Sequence, residues 1–342
     1  MKFGLFGGGK IGKANPLGDS HGYRDFIQYI KDAEELGFES VFLVEHHFTG
    51  AGQLSASLNL LSYIAACTTR IRLGTAVVVL PWHNPVLLAE QISTLDVLSG
   101  GRVDLGVGRG YRKSEFESFC IPMSEAQDRY TECFELLLKS FTSKQRFSHH
   151  GKYWNYENIV VEPAPVQQPH PPVWMAAGRP EGIAFVAASN YNLLLDQIGT
   201  IDETIERVRI YLDAQAAKGL RRDASRIGVT RSISIISSEE ERRSAYARRR
   251  DTLKKIGELA RKPAGFSPET FADADIAADD AALIGTPDEI VERLQRLAAG
   301  GVDYVLLTNA STNRESLVTF AEQIMPHLAS TQSPARLAAA NR

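Results

Sequence analysis

Cysteine is scarce in this chain of 342 residues: Cys67, Cys120 and Cys133 are far apart and form no CxxC pair. That pattern excludes a disulfide framework and a thiolate zinc site, and it suits a reducing cytoplasm. No HxH or HExxH occurs, so no metal is expected. Uninterrupted apolar runs of about 18 residues are missing too, which removes any expectation of a membrane span. The opening MKFGLFGGGKIG is too short and too rich in glycine for a secretory h-region. Charge of one sign is not in excess, with 38 Lys and Arg against 41 Asp and Glu and a net charge of −3. Neither nucleic acid nor an anionic membrane has an electrostatic claim on such a chain.

What is present is alternation. Eight short β-rich runs, Phe3 to Phe6, Ser40 to Val44, Ile71 to Val79, Arg102 to Val107, Val173 to Ala176, Asn192 to Leu195, Ile227 to Ile236 and Asp303 to Leu307, are each followed by a segment of helical period. In the first of these, Tyr23, Phe26, Ile27, Ile30 and Ala33 line one face. Starts are marked by Asn84-Pro85 and by capping boxes at Thr200–Glu203, Ser238–Glu241 and Thr286–Glu289; Gly37, Gly219 and Gly300-Gly301 mark stops.

Eight βα units in series predict an α/β (β/α)8 TIM barrel, since eight tilted parallel strands leave an interior that side chains just fill. A doubly wound open sheet is disfavoured. Gly7, Gly8, Gly9 and Gly12 after the first strand lead into a polar loop and do not open a helix. One barrel domain is expected over residues 1–330, with insertions at about 141–172 after the fourth strand and 261–283 after the seventh, and a disordered tail at 331–342.

Working residues of such barrels sit at the C-terminal strand ends. There the chain places Glu45-His46-His47-Phe48, Ala76 to Asn84, Gly108-Arg109-Gly110-Tyr111, Ala176-Ala177-Gly178-Arg179 and Asp196, while Arg231 lies on the seventh strand. Adjacent strand residues alternate faces, so His46 and His47 are a poor chelating pair; one histidine at the mouth suits proton transfer, because its pKa lies near neutrality. Arg109 between two glycines offers a planar fork for phosphate, and Gly178 to Gly182 opens a helix whose free amides attract an anion.

Phe38 to Phe48 (FESVFLVEHHF), Thr69 to Phe116, Gly285 to Leu307 and Phe320 to Leu328 together resemble the bacterial luciferase-like flavin-dependent monooxygenases over nearly the whole chain. The most specific parts are EHHF, LGTAVVVLPWHNPVLLAEQ and GVGRGY in that order. The resemblance implies a (β/α)8 barrel that receives reduced FMN from a separate flavin reductase and uses O2, through a C4a-peroxyflavin, to oxygenate a small organic substrate. A cytoplasmic homodimer goes with that family.

By the same resemblance, His46 is the active-site histidine and Ala76-Val77 holds a non-proline cis peptide beneath the flavin. Arg109 contacts the flavin phosphate with Ala177, Gly178, Arg179 and Gly182 as the second phosphate segment; Gly108 and Tyr111 flank the cofactor. Arg231 matches a substrate-directed arginine of alkanesulfonate monooxygenases, but Ile233 replaces their histidine two residues on, and Gly108 replaces the reactive cysteine of luciferases. The substrate pocket is expected at Phe6, Phe48, Trp82 and Trp174. Two alternatives stay open: an F420-dependent hydride-transfer oxidoreductase of the same superfamily, and a non-catalytic flavin-binding protein.

Overall fold

The computed structural model describes residues 1–8, 19–50, 53–260, 279–308 and 314–328. Its strands are β1 Lys2–Gly7, β2 Ser40–Leu43, β3 Arg72–Thr75, β4 Val78–Val79, β5 Val103–Gly108, β6 Phe147–His150, β7 Asn155–Ile159, β8 Val173–Ala176, β9 Asn192–Leu195, β10 Ile227–Ile235, β11 Leu283–Gly285 and β12 Tyr304–Thr308. Eight of them close a parallel ring in the order β1, β2, β3, β5, β8, β9, β10, β12 and back to β1. This is a (β/α)8 TIM barrel, and the eight runs read from the sequence are its eight staves.

The helices are α1 Asp19–Glu35, α2 Ser57–Cys67, α3 Pro85–Leu98, α4 Lys113–Ser118, α5 Ala126–Thr142, α6 Pro180–Ala188, α7 Ile201–Ala217, α8 Glu239–Ala260, α9 Pro287–Ala299 and α10 Arg314–Gln323. Local chemistry sets their ends. Asn84 accepts from Val86 N and Leu87 N ahead of Pro85, and Thr200 and Thr286 close full capping boxes with Glu203 and Glu289. At Ser238 only half the box forms: its hydroxyl accepts from Glu241 N, while the Glu241 carboxylate turns back to Ser237.

Two apolar layers result from the period-2 pattern. Outward residues such as Leu5, Val41, Leu73, Val229 and Ile233 pack under the helices, whereas Phe42, Trp174, Leu194, Tyr304 and Leu306 fill the barrel. Three features depart from the simple series. The run expected as one strand from Ile71 to Val79 breaks into β3 and β4 at a cis Ala76–Val77 bond. The insertion at 141–172 forms the antiparallel hairpin β6–β7, tied to α5 because the Glu132 carboxylate accepts from the amides of Lys152, Tyr153 and Trp154. β11 adds outside the ring against β10, and the rest of the expected second insertion, 261–278, lies outside the described residues, as does the tail at 331–342.

Candidate active site

The strand ends at the C-terminal mouth gather most of the expected residues. β2 runs into Glu45-His46-His47-Phe48, its neighbour β3 ends on Thr75 and the cis Ala76–Val77 bond, β5 ends on Gly108 before Arg109, and β8 ends on Ala176 before Ala177 and Gly178. Ala176 is exposed although it follows the inward-facing Trp174 by two residues, so small side chains floor an open mouth.

Gly108 is glycine for a packing reason: a Cβ there would collide with the Val77 side chain. Gly110 sits at φ +78°, where a side chain is strained, and a Cβ would meet Val79 and Phe116. Between them Arg109 is exposed, and its guanidinium makes one long 3.5 Å hydrogen bond, to Gln127 Oε1. On the adjacent stave, α6 starts with Pro180 at its first position and with no side-chain cap from Arg179. Its first-turn amides, with the positive end of the helix dipole, stay available to an anion. Arg109 and the α6 start therefore put an exposed guanidinium and uncapped helix amides after neighbouring strands, with the small residues Ala76, Gly108 and Ala176 at the same strand ends. The set fits a phosphate-bearing planar cofactor.

His46 and His47 point to different carboxylates. His46 Nδ1 donates to Glu115 Oε1 at 3.2 Å, and the same oxygen accepts from the His47 amide at 2.9 Å. Glu115 is buried on α4 with Arg112 Nη1 3.6 Å away, and Arg112 also donates to Gln53 Oε1 at 2.8 Å. Burial lowers the His46 pKa from its ordinary value, with the Glu115 hydrogen bond opposing the shift. That direction favours the neutral ring, and with Nδ1 donating to Glu115, Nε2 is left as an acceptor. Tyr111 meets it edge-on at 6.3 Å.

Glu45 anchors the other ring. Its Oε1 accepts from His47 Nε2 at 2.9 Å, His83 Nε2 at 2.8 Å and Trp82 Nε1 at 2.9 Å, while Oε2 accepts from Val79 N at 3.0 Å. Burial acts to raise its pKa, but the hydrogen bonds from His47, His83 and Trp82 outweigh it and hold the carboxyl at about 2. Among the described residues no group of three His, Cys, Asp or Glu could hold a metal.

Two expected site residues are elsewhere. Arg231 is fully buried and shares the outward face of β10 with Val229 and Ile233; its guanidinium bonds Thr204 Oγ1 on α7 and the carbonyls of Thr230 and Asp196. It locks barrel to helix and does not face the mouth. Trp174 lies inside the barrel, donating to Asp104 Oδ1 at 3.1 Å, so it fills the core and lines no substrate pocket. Glu115 and Arg112 are the site residues absent from the sequence-based set; Glu45 and His83 stand at the mouth in that set without a role.

A family model described as luciferase-like monooxygenase matches residues 1–304, and the chain belongs to that family. It is 28% identical over 330 residues to an FMNH2-dependent dimethylsulfone monooxygenase of Pseudomonas putida, spanning 90% of this chain and 88% of that one. Among solved structures, the monooxygenase RslO1 of Streptomyces bottropensis superposes with a TM-score of 0.79 at 25% identity, over 96% of this chain and all of that one. An F420-dependent secondary alcohol dehydrogenase shares the fold alone, with a TM-score of 0.76 at 17% identity over 96% of this chain and 98% of that one.

Proposed function

We propose that the protein is a flavin-dependent monooxygenase that takes reduced FMN from a separate flavin reductase and, with O2, oxygenates a small organic substrate. The observation that carries this reading is the pairing of Arg109 with the uncapped start of α6 on adjacent staves. A guanidinium and free helix amides following adjacent strands suit a single terminal phosphate. The relative named for its FMNH2 dependence supports the same cofactor.

When bound, the reduced flavin supplies the oxygen chemistry. The chain supplies the rest. Arg109, Gly178 and Gly182 would hold the flavin phosphate, and Ala76, Val77 and Gly108 would lie against its ring system. Neutral His46, oriented through Nδ1 by Glu115, offers Nε2 as a proton acceptor at the mouth. Glu115 and Arg112 hold that tautomer in place, and Arg231 has no part in the chemistry.

Stopped-flow mixing of the anaerobic protein–FMNH2 complex with O2 tests the reading. Flavin oxidation whose rate changes in the His46→Ala protein supports it, and oxidation identical to that of free FMNH2 opposes it. A homodimer through the α2–α3 face, where Tyr63 and Leu98 are 59% and 67% exposed, belongs to the same proposal and is checked by light scattering.

A further inference from the structure

Beside His46 the mouth carries a continuous wall of rings. His47 and Phe119 lie 4.9 Å apart edge-on, Phe119 and Phe48 5.0 Å apart, and Trp82 stacks on Phe119 at 5.1 Å with 23° between planes. Trp82 rests in turn on fully buried Phe116 at 5.0 Å. Phe48, 65% exposed, closes the wall, and its φ of +58° turns the chain sharply after the histidines.

This surface is built. The ring nitrogens of His47 and Trp82 donate to one oxygen of Glu45, which is 3% exposed, so two rings are held from behind by a buried carboxylate. The charges around the wall are compensated. Glu45 takes four donors, Glu115 takes the two histidines' Nδ1 and amide and sits against Arg112, and Arg231 is turned away to α7. Aromatic faces whose backing carboxylates, Glu45 and Glu115, are both engaged by donors favour a neutral ligand that can offer a ring edge or face.

We infer that Phe48 and Phe119 bind the neutral, ring-bearing part of the organic substrate, with Glu45 as the positioning residue that fixes the wall. This rests on the flavin-monooxygenase reading and names the substrate class for it. An anionic substrate, as Arg231 had suggested, does not fit the wall.

Titration of the FMN-loaded full chain with 2-naphthol, naphthalene-2-sulfonate and 1-octanol, followed by calorimetry, separates charge from ring shape. Binding of 2-naphthol about tenfold tighter than either of the others is expected, and a loss of about fivefold or more in Phe48→Ala and in Phe119→Ala. Glu45→Gln should weaken 2-naphthol and alter the near-ultraviolet dichroism of Trp82, with Glu45→Asp restoring part of both. Phe48 is largely exposed, so its variant stays informative if Glu45→Gln does not fold. Equal binding of the sulfonate or the alcohol, or affinities within about twofold of wild type in both phenylalanine variants, overturns the inference. Ring binding that depends on Phe48 in a protein with no FMN affinity would instead remove the flavin reading and leave the wall.

Discussion

The two ends of the barrel handle buried charge in opposite ways. At the N-terminal end Arg72 grips Asp104 through two direct hydrogen bonds of 2.7 and 2.9 Å, with the Trp174 indole on the same carboxylate and Ser40 bonded to the Tyr304 hydroxyl beside it. Burial pushes that tyrosine far above its usual pKa, so the hydroxyl stays protonated. At the C-terminal mouth the carboxylates of Glu45 and Glu115 are met mainly by histidine, indole and amide donors. A closed end needs a fixed ion pair. A working end needs groups whose protons can be held or moved near neutral pH, and histidine meets that need.

Removing the mouth's proton acceptor has the largest expected effect. His46→Ala should lower turnover by about 10² to 10⁴ while FMNH2 affinity, read by fluorescence quenching, changes little. If both fall together, His46 is part of the binding site and the contrast between the ends loses its point.

Breaking the closed end should do the reverse. Asp104→Ala leaves the Arg72 guanidinium, only partly exposed, without its partner, at a cost of about 3 kcal/mol. Denaturant unfolding measures the loss, and FMNH2 affinity of the folded fraction should stay at the wild-type level.

Glu45 gives a pH test of similar size. Its folded pKa of about 2 lies below the ordinary carboxyl value, so it contributes stability that is fully present above about pH 4.5 and is lost as pH falls toward 2. The full contribution is on the order of 3 kcal/mol. Acid unfolding of Glu45→Gln should lack that segment of the profile.

The smallest effect is a shift of pH dependence. The Glu115 hydrogen bond raises the His46 pKa against the lowering effect of burial. In Glu115→Gln burial acts with less opposition, so the acid limb of kcat/KM should move to lower pH; a limb that stays or moves up shows that Glu115 does not act on His46.

Legibility in the sequence followed the range of the interactions. Strand runs, the Asn84 cap and the capping boxes at Thr200 and Thr286 rest on residues a few positions apart, and the structure reproduces them. The helix start that follows Gly178-Arg179 is likewise local. Glu115 reaches His46 across 69 positions, and in RKSEFES it reads as one acid on a solvated helix; no local pattern marks it as buried. Glu45 and His83 are similarly joined only by folding. Arg231 was readable: the alternation along β10 sets it on the same face as Val229 and Ile233, the side that packs under helices. Analogy with a substrate arginine overrode that signal.

The central claim is that Arg109 and the start of α6 hold the phosphate of reduced FMN at the mouth. Anaerobic titration of the wild-type and Arg109→Ala proteins with FMNH2 and with reduced F420 tests it most directly. The account predicts tighter binding of FMNH2 than of reduced F420 and a loss of about tenfold or more in the variant. Preference for F420, or FMNH2 affinity unchanged by the substitution, would contradict it.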